Sequence, residues 1–345
     1  MSFPGMNPPP NAQVTPQRIM QFAWGFAAPM AIGAAVHNGL FDALASGPKD
    51  LAELEKTTGC SARGLTAIVD FLVGIDLLKK DSSGRFTLTP ESETFLVKSK
   101  PSFHGAIFRP LIESVIPAFL ELNSIVRTGH PAQEVNSEPI GSPFFQELVV
   151  DLFPINYAGA KTLGEALAAQ GLPKPASVLD LATGSGVWGI AVAQASPDVH
   201  VTAVDWPQVL EVTKKTATRF GVVDRFNFSP GDLLEADFGA NHGLATLGHI
   251  LHSEGEERSR ELLKKTFQAL APGGTIAIAE FLVNADRTGP LSGLIFSINM
   301  LVNTETGRTY SFEELSDWLR QAGFVEPHLM EVPAVSPLVL ANKPN

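Results

Sequence analysis

From residue 171 to the C-terminus, short apolar runs alternate with amphipathic helical stretches, and this alternation limits the possible folds more than any other feature of the chain. Runs at 177–182, 199–204, 226–229, 244–251, 275–281 and 338–342 are predicted strands, with helices at 207–220, 256–270 and 311–321 between several of them. A strand, a helix and a second strand in succession place the two strands parallel, because the crossover returns the chain to its starting end. Region 171–345 is therefore expected to form a doubly wound, mostly parallel α/β sheet. The chain has 345 residues, 44% of them apolar and 18% charged, enough core-forming material for more than one domain.

The first strand of this region runs into Asp180-Leu181-Ala182-Thr183-Gly184-Ser185-Gly186, a small-residue turn that opens a helix. Gly184 and Gly186 let the backbone pass close to a ligand, and the helix N-terminus offers free N–H groups. Asp205 ends the second strand, where a carboxylate can accept from both hydroxyls of a ribose. Asp232 follows the third strand, in Ser229-Pro230-Gly231-Asp232-Leu233. All three sit at carboxyl ends of strands, where open sheets bind ligands. A glycine-rich turn alone reads equally well as tight packing of helix on sheet, and the full G-x-G-x-x-G of dinucleotide enzymes is absent. The two acidic strand ends favour the ligand.

Residues 16–97 follow a different pattern. Asp50 opens a helix with Pro48 just before it, Gly59-Cys60-Ser61 makes a turn with Ser61 as N-cap, and 62–72 forms a second helix. Leu65, Ile68, Val69 and Leu72 fall on one face of it. Two short strands around a polar glycine turn follow at 77–88. This is the order of a winged helix. Lys and Arg balance Asp and Glu over residues 1–100, nine of each, and the whole chain carries a formal charge of −11. A nucleic-acid backbone needs a basic footprint, so contact with protein is the expected use of this domain.

Residues 1–15 are uncharged and proline-rich and read as a mobile arm. Residues 19–41 contain no charge and are long enough to cross a bilayer. Gln21, Pro29, His37, Asn38 and Gly39 interrupt the stretch, which favours helices buried against another chain or domain over a membrane span. Region 98–170 reads as helical, with a loop at 129–143. The single cysteine, Cys60, excludes an intrachain disulfide framework and fits a reducing, cytoplasmic setting.

From about Gln17 onward the chain resembles the small-molecule O-methyltransferases, class I S-adenosylmethionine-dependent enzymes that include the plant caffeic-acid and animal hydroxyindole methyltransferases. The resemblance rests on the turn at 180–186, Asp205-Trp206, Asp232-Leu233, the preceding winged helix, and Gly39-Leu40-Phe41-Asp42-Ala43-Leu44 with Gly47-Pro48. It implies a seven-stranded cofactor domain at 171–345, a homodimer built through 16–97, and a helical segment at 98–170 that contributes to the substrate pocket. It implies S-adenosyl-L-methionine as cofactor, with Asp180, Ala182, Gly184, Gly186, Asp205, Trp206, Asp232, Leu233 and Gly248 among its contacts. Phe153, Tyr157, Phe296, Met300 and Asn303 match positions that face substrate in relatives.

The catalytic residues are carried over the same way. The family pattern is a Leu-His-Asp-Trp run whose histidine is the general base, and Leu251-His252 matches its start. An imidazole with an ordinary pKa of about 6.5 suits removal of a phenol proton near neutral pH. Glu280 matches the glutamate that orients the base. Ser253 and Glu254 replace the aspartate and tryptophan, Gly248 replaces a lysine, and Gly307 stands where a second catalytic glutamate is found, with Glu305 out of register. This thinner polar set leaves C- or N-methylation, and non-methylating uses of the cofactor such as decarboxylation, hydroxylation or cyclisation, beside the leading reading of O-methylation. A winged-helix regulator is the remaining alternative. His249, three residues before His252, is expected to point to the opposite face of the strand and pack there. The spacing of the eight histidines suggests no metal-ligand set.

Overall fold

A computed structural model describes residues 14–131, 135–136, 138–170 and 176–345, so the expected arm lies outside the described residues apart from Val14 and Thr15. The chain divides into two compact units, one ending at Pro117 and the other running from Ala118 to Asn345.

In the first unit, helices Gln17–Ala23, Ala27–His37, Leu40–Leu44, Leu51–Thr58 and Ala62–Gly74 precede an antiparallel hairpin of β1 (Leu78–Lys80) and β2 (Phe86–Leu88). Local side chains set these boundaries. The Asp50 carboxylate accepts the Glu53 N–H and the Glu53 carboxylate accepts the Asp50 N–H, a reciprocal cap. Ser61 Oγ accepts from the Gly64 N–H, as the sequence predicts. Asp81 gathers the hairpin turn by accepting from the Ser83 and Arg85 N–H groups. Phe41, Leu54, Val69, Leu72 and Leu78 fill the core.

The 17–37 stretch is apolar and long enough to cross a membrane, but only 17% of its most apolar window is buried. A turn at Trp24–Phe26 breaks it into helices of seven and 11 residues, each short of the about 20 that a bilayer requires. Ile19, Trp24 and Phe26 are 71%, 65% and 58% exposed, large apolar side chains left in water by the single chain.

The second unit is a seven-stranded sheet in the order β5-β4-β3-β6-β7-β9-β8. Its strands are β3 (Ser177–Leu181), β4 (His200–Asp205), β5 (Phe226–Pro230), β6 (His242–Gly248), β7 (Leu270–Ala279), β8 (Val325–Met330) and β9 (Leu338–Asn342). Strands β3 to β7 pair in parallel, and β9 pairs antiparallel with both neighbours. The order reverses between β3 and β6, which makes their carboxyl ends the switch point of the sheet. The sequence shows no sign of β8. It is an edge strand, mostly exposed, with Glu326 and Pro327 where alternation would be sought.

Helix Glu138–Gln170 begins within the expected loop and lies in this unit. It lies so close to helix Val187–Ala195 that a β-carbon on Gly164 would come within 2.9 Å of the Ala191 carbonyl oxygen. Ala160, Leu163, Ile190, Val192 and Val201 share one core layer. Leu262, Leu263, Ile276, Leu315 and Leu319 form part of the layer that includes helices Leu251–Ala269 and Phe312–Ala322.

Candidate active site

The turn after β3 is held from behind. The Asp180 carboxylate is fully buried and accepts from Thr183 Oγ1 at 2.6 Å, Thr246 Oγ1 at 2.7 Å and the Gly189 N–H at 3.1 Å. Burial pushes its carboxyl up to about 6 against those hydrogen bonds. The structure thus corrects the expectation that Asp180 contacts a ligand: its oxygens tie the turn, the next helix and β6 together. Ala182, Gly184 and Gly186 all have positive φ, at 49°, 55° and 81°.

Asp205 stands across this turn at the end of β4, half-buried. One carboxylate oxygen accepts the Gly184 N–H at 2.9 Å and the other the Trp206 N–H at 2.8 Å, so the group is aimed before any ligand arrives. Burial raises its carboxyl to about 6, opposed by those two amides. The side chain of Trp206 lies under helix Glu138–Gln170, where a β-carbon on Gly141 would meet its ring at 2.8 Å. Phe145 lies 6.1 Å from that ring, and Val149 covers Gly184. Gly141, Phe145 and Val149 are spaced by four and form one stripe over the turn. Sequence reading missed this stripe, although its period was there to be found.

Asp232 accepts from Arg258 through both oxygens, at 3.0 and 2.8 Å, while Arg258 Nε donates to Glu254 at 2.6 Å. Leu233 is buried behind it. Gly248, expected among the cofactor contacts, has no room for a side chain: a β-carbon there would sit 2.3 Å from Trp188 Nε1. The buried Trp188 indole fills the space that a residue at 248 would otherwise extend into.

His252 opens the helix after β6, and both it and Glu280, at the end of β7, are buried. Glu280 Oε2 lies 2.7 Å from His252 Nδ1, and Glu280 Oε1 accepts the His252 N–H at 3.2 Å. A carboxylate only accepts, so Nδ1 carries a proton, and in the neutral ring the lone pair is on Nε2. Burial would raise Glu280, but His252, through its charge and hydrogen bonds, outweighs that and holds the carboxyl below its ordinary value. The Arg308 N–H donates to the His252 carbonyl at 2.8 Å. Gly255 breaks the helix at φ 75°, where a β-carbon would strike Thr306. Phe281 and Phe296 stack at 3.7 Å, and the His252 ring meets Phe296 edge-on at 4.7 Å.

The remaining expectations divide. Phe296 lies against His252. Met300 is buried, and the Asn303 amide is turned to Asn299 of its own helix. Phe153 and Tyr157 are corrected: they stack with Phe220 at 5.0 and 5.8 Å, and Tyr157 Oη donates to Gln194, so both serve the core. At Gly307 a β-carbon would sit 2.5 Å from the His252 carbonyl oxygen, and Glu305 pairs with the exposed His130. His249 is also corrected. The strand ends at Gly248, the backbone at His249 has φ 61°, and its ring comes to 5.2 Å from Phe281 on the same side as His252. A nitrogen of His249, one of His252 and an oxygen of Glu280 lie within 4.8 Å of one another, a grouping that histidine spacing did not suggest.

Comparison with known proteins agrees with this geometry. Residues 20–98 match the family described as O-methyltransferase dimerisation domain, and residues 160–325 the family described as O-methyltransferase domain. The chain is 28% identical to 3-hydroxy-5-methyl-1-naphthoate 3-O-methyltransferase of Streptomyces sahachiroi, covering 90% of each chain. It is 27% identical to the tetracenomycin polyketide synthesis 8-O-methyl transferase of Streptomyces glaucescens, over 95% of this chain and 97% of that one. Among solved structures, an O-methyltransferase of Nostoc punctiforme, titled putative, superposes with a TM-score of 0.88 at 29% identity, covering 96% and 100%. Human N-acetylserotonin methyltransferase in complex with S-adenosylmethionine superposes at 0.80 and 25% identity, covering 97% and 99%.

Proposed function

From the premise that this chain belongs to the O-methyltransferase family, we propose that His252 is the general base of an S-adenosylmethionine-dependent methyl transfer to the hydroxyl of a small aromatic metabolite. The observation that carries the base assignment is the buried 2.7 Å pair between His252 Nδ1 and Glu280. It puts the lone pair of the neutral ring on Nε2, and the ring lies beside the stacked Phe281 and Phe296, an apolar floor suited to a planar acceptor.

The residues present fit the cofactor. Gly184 has no side chain to obstruct the turn, Asp205 is oriented for ribose hydroxyls, and Trp206 and Leu233 give apolar contact beside it. Asp232 would accept from the adenine amine while sharing its oxygens with Arg258. When bound, the cofactor supplies a methyl group on a sulfonium. The protein's own work is to hold the acceptor and remove its proton. The hydroxyl is a poor nucleophile until that proton leaves for His252 Nε2, and the negative Glu280 beside Nδ1 stabilises the imidazolium that results.

The exposed apolar helices at 17–37 fit a homodimer in which a second copy covers them. In this reading residues 16–97 serve dimerisation and 171–345 bind the cofactor. A cytoplasmic setting fits the free Cys60.

His252→Ala tests the base. Affinity for S-adenosylhomocysteine, measured by calorimetry, is expected to stay within about twofold, while turnover falls about 10²–10⁴-fold. Near-normal turnover in that variant would refute the assignment.

A further inference from the structure

His249 has two unfavourable features. Its backbone is left-handed, a conformation uncommon for residues other than glycine, and its Nδ1 is buried without a hydrogen-bond partner among the described residues. Phenylalanine would pack on Phe281 equally well and leave no polar atom unsatisfied. The conformation, secured by a 2.8 Å hydrogen bond from the His249 N–H to the Ala279 carbonyl, brings the imidazole round to the base. Its ring centre lies 6.4 Å from that of His252. One nitrogen from each imidazole and a Glu280 oxygen fall within 4.8 Å of one another. At such a separation one oxygen atom can lie within hydrogen-bond reach of both imidazoles, accepting from an N–H of His249 while its own O–H donates to His252.

We propose that His249 is a second catalytic imidazole, which donates an N–H to the acceptor oxygen whose proton His252 removes. The proposal rests on the reading of His252 as the base. In the step concerned, the acceptor O–H bond breaks, an N–H bond forms at His252 Nε2, and the oxygen keeps the electron pair. The His249 N–H then binds the negative charge left on that oxygen, much as an oxyanion-hole donor does. The two histidines do not compete for the proton. Burial pushes His249 down to about 4, with Glu280 opposing and His252 adding to the shift, so its ring is neutral at working pH and has one N–H to give.

The experiment compares His249→Phe, which removes both nitrogens, with His249→Gln, which restores an N–H donor. The probe is 4-nitrophenol, whose ionisation is followed by its visible absorbance in protein saturated with S-adenosylhomocysteine. In the wild type the bound phenol is expected to ionise at lower pH than in water. His249→Phe should move that midpoint up by one to two pH units, equivalent to a loss of about tenfold to hundredfold in stabilisation of the phenolate, and Gln should recover part of it. The Phe variant is also expected to unfold at or above the wild-type temperature, since it loses an unsatisfied atom and no contact. Equal midpoints in wild type and His249→Phe, or no lowering in the wild type, would overturn the proposal. A substantial fall in unfolding temperature would overturn it too, by showing that the ring is structural. Wild-type turnover in His252→Ala would instead remove the base reading beneath it.

Discussion

The proposed cofactor side and base side are built differently. On the cofactor side, the polar groups of the turn, Asp180 and Asp205 are already satisfied by the protein's own amides and hydroxyls. Their partners come from neighbouring strand ends and the turn itself. On the base side, His249, His252, Glu280, Phe281 and Phe296 arrive from three separate elements, and one buried nitrogen is left unsatisfied. The first side is a preformed cradle whose oxygens are aimed in advance. The second holds its polar atoms for something not supplied by the fold. Changes to the cradle should therefore appear as stability or cofactor affinity, and changes to the base side as turnover.

The largest expected effect is at Asp180. Replacing it by alanine strands a buried amide and two hydroxyls, and the combined cost is about 3–5 kcal/mol. Chemical denaturation should show that loss in the free protein, with cofactor affinity falling alongside. A stable Asp180→Ala protein with normal affinity would show that the turn holds its shape without its anchor, and the contrast between the two sides would fail.

Glu280→Gln is the matching change on the other side. An amide can accept from Nδ1 only in one orientation and carries no charge to favour the imidazolium, so turnover should fall on the order of 10²-fold. Affinity for S-adenosylhomocysteine should not move. A joint loss of turnover and affinity would mean that the two sides are coupled.

These expectations also show what could be read from the residues alone. The cradle was legible because it is local: a strand, a small-residue turn and acidic residues at successive strand ends follow one another in order. Six of the seven strands were placed to within a few residues, and β8 escaped because an exposed edge carries no buried alternation. The base side was legible only where the family pattern named His252 and Glu280. His249 was assigned to the wrong face because the two-residue period was carried past Gly248, where the backbone turns over. Phe153 and Tyr157 were put beside the acceptor although Phe220, more than 60 residues away, draws them into the core. Gly248 gave no hint of Trp188. The failures at Gly248, Phe153 and Tyr157 each concern a partner distant in the chain, which periodicity cannot see.

Asp205→Ala should weaken S-adenosylhomocysteine binding about tenfold to hundredfold, or about 1–3 kcal/mol, by leaving two ribose hydroxyls unpaired. Turnover at saturating cofactor should change far less than in Glu280→Gln. The same residue predicts a pH dependence. Its carboxyl is raised to about 6 in the free protein, and the ionised form is the one that accepts two hydroxyls. Protons therefore compete with the ligand. Affinity should be flat above about pH 7 and fall by up to tenfold per unit below 6, with the slope reduced in Asp205→Asn. Asp180 titrates in the same range, so a residual slope in the Asn variant would measure its share. Affinity that rises on acidification would mean that the ligand does not meet an ionised Asp205.

The smallest expected effect bears most directly on the difference between the sides, because each contains one non-glycine residue with a left-handed backbone. Ala182 has φ 49° in the cradle and His249 has φ 61° beside the base. An alanine pays about 1 kcal/mol for that conformation, and glycine escapes the steric part while losing more backbone entropy on folding. At a positive φ the steric relief is the larger, so Ala182→Gly should stabilise the protein by no more than about 1 kcal/mol, a rise of about 2–4 °C in the unfolding midpoint for a unit of this size. Turnover and cofactor affinity should stay at wild-type levels, since the methyl group of Ala182 contributes no polar contact. His249→Gly offers the same backbone relief and also removes an orphaned nitrogen, but it deletes the ring packed on Phe281. If the strain at 249 serves chemistry and that at 182 does not, the two glycine variants will part in turnover while Ala182→Gly alone gains stability at no cost. Equal losses of turnover in both would place the strained residues in one functional unit and erase the distinction between cradle and base.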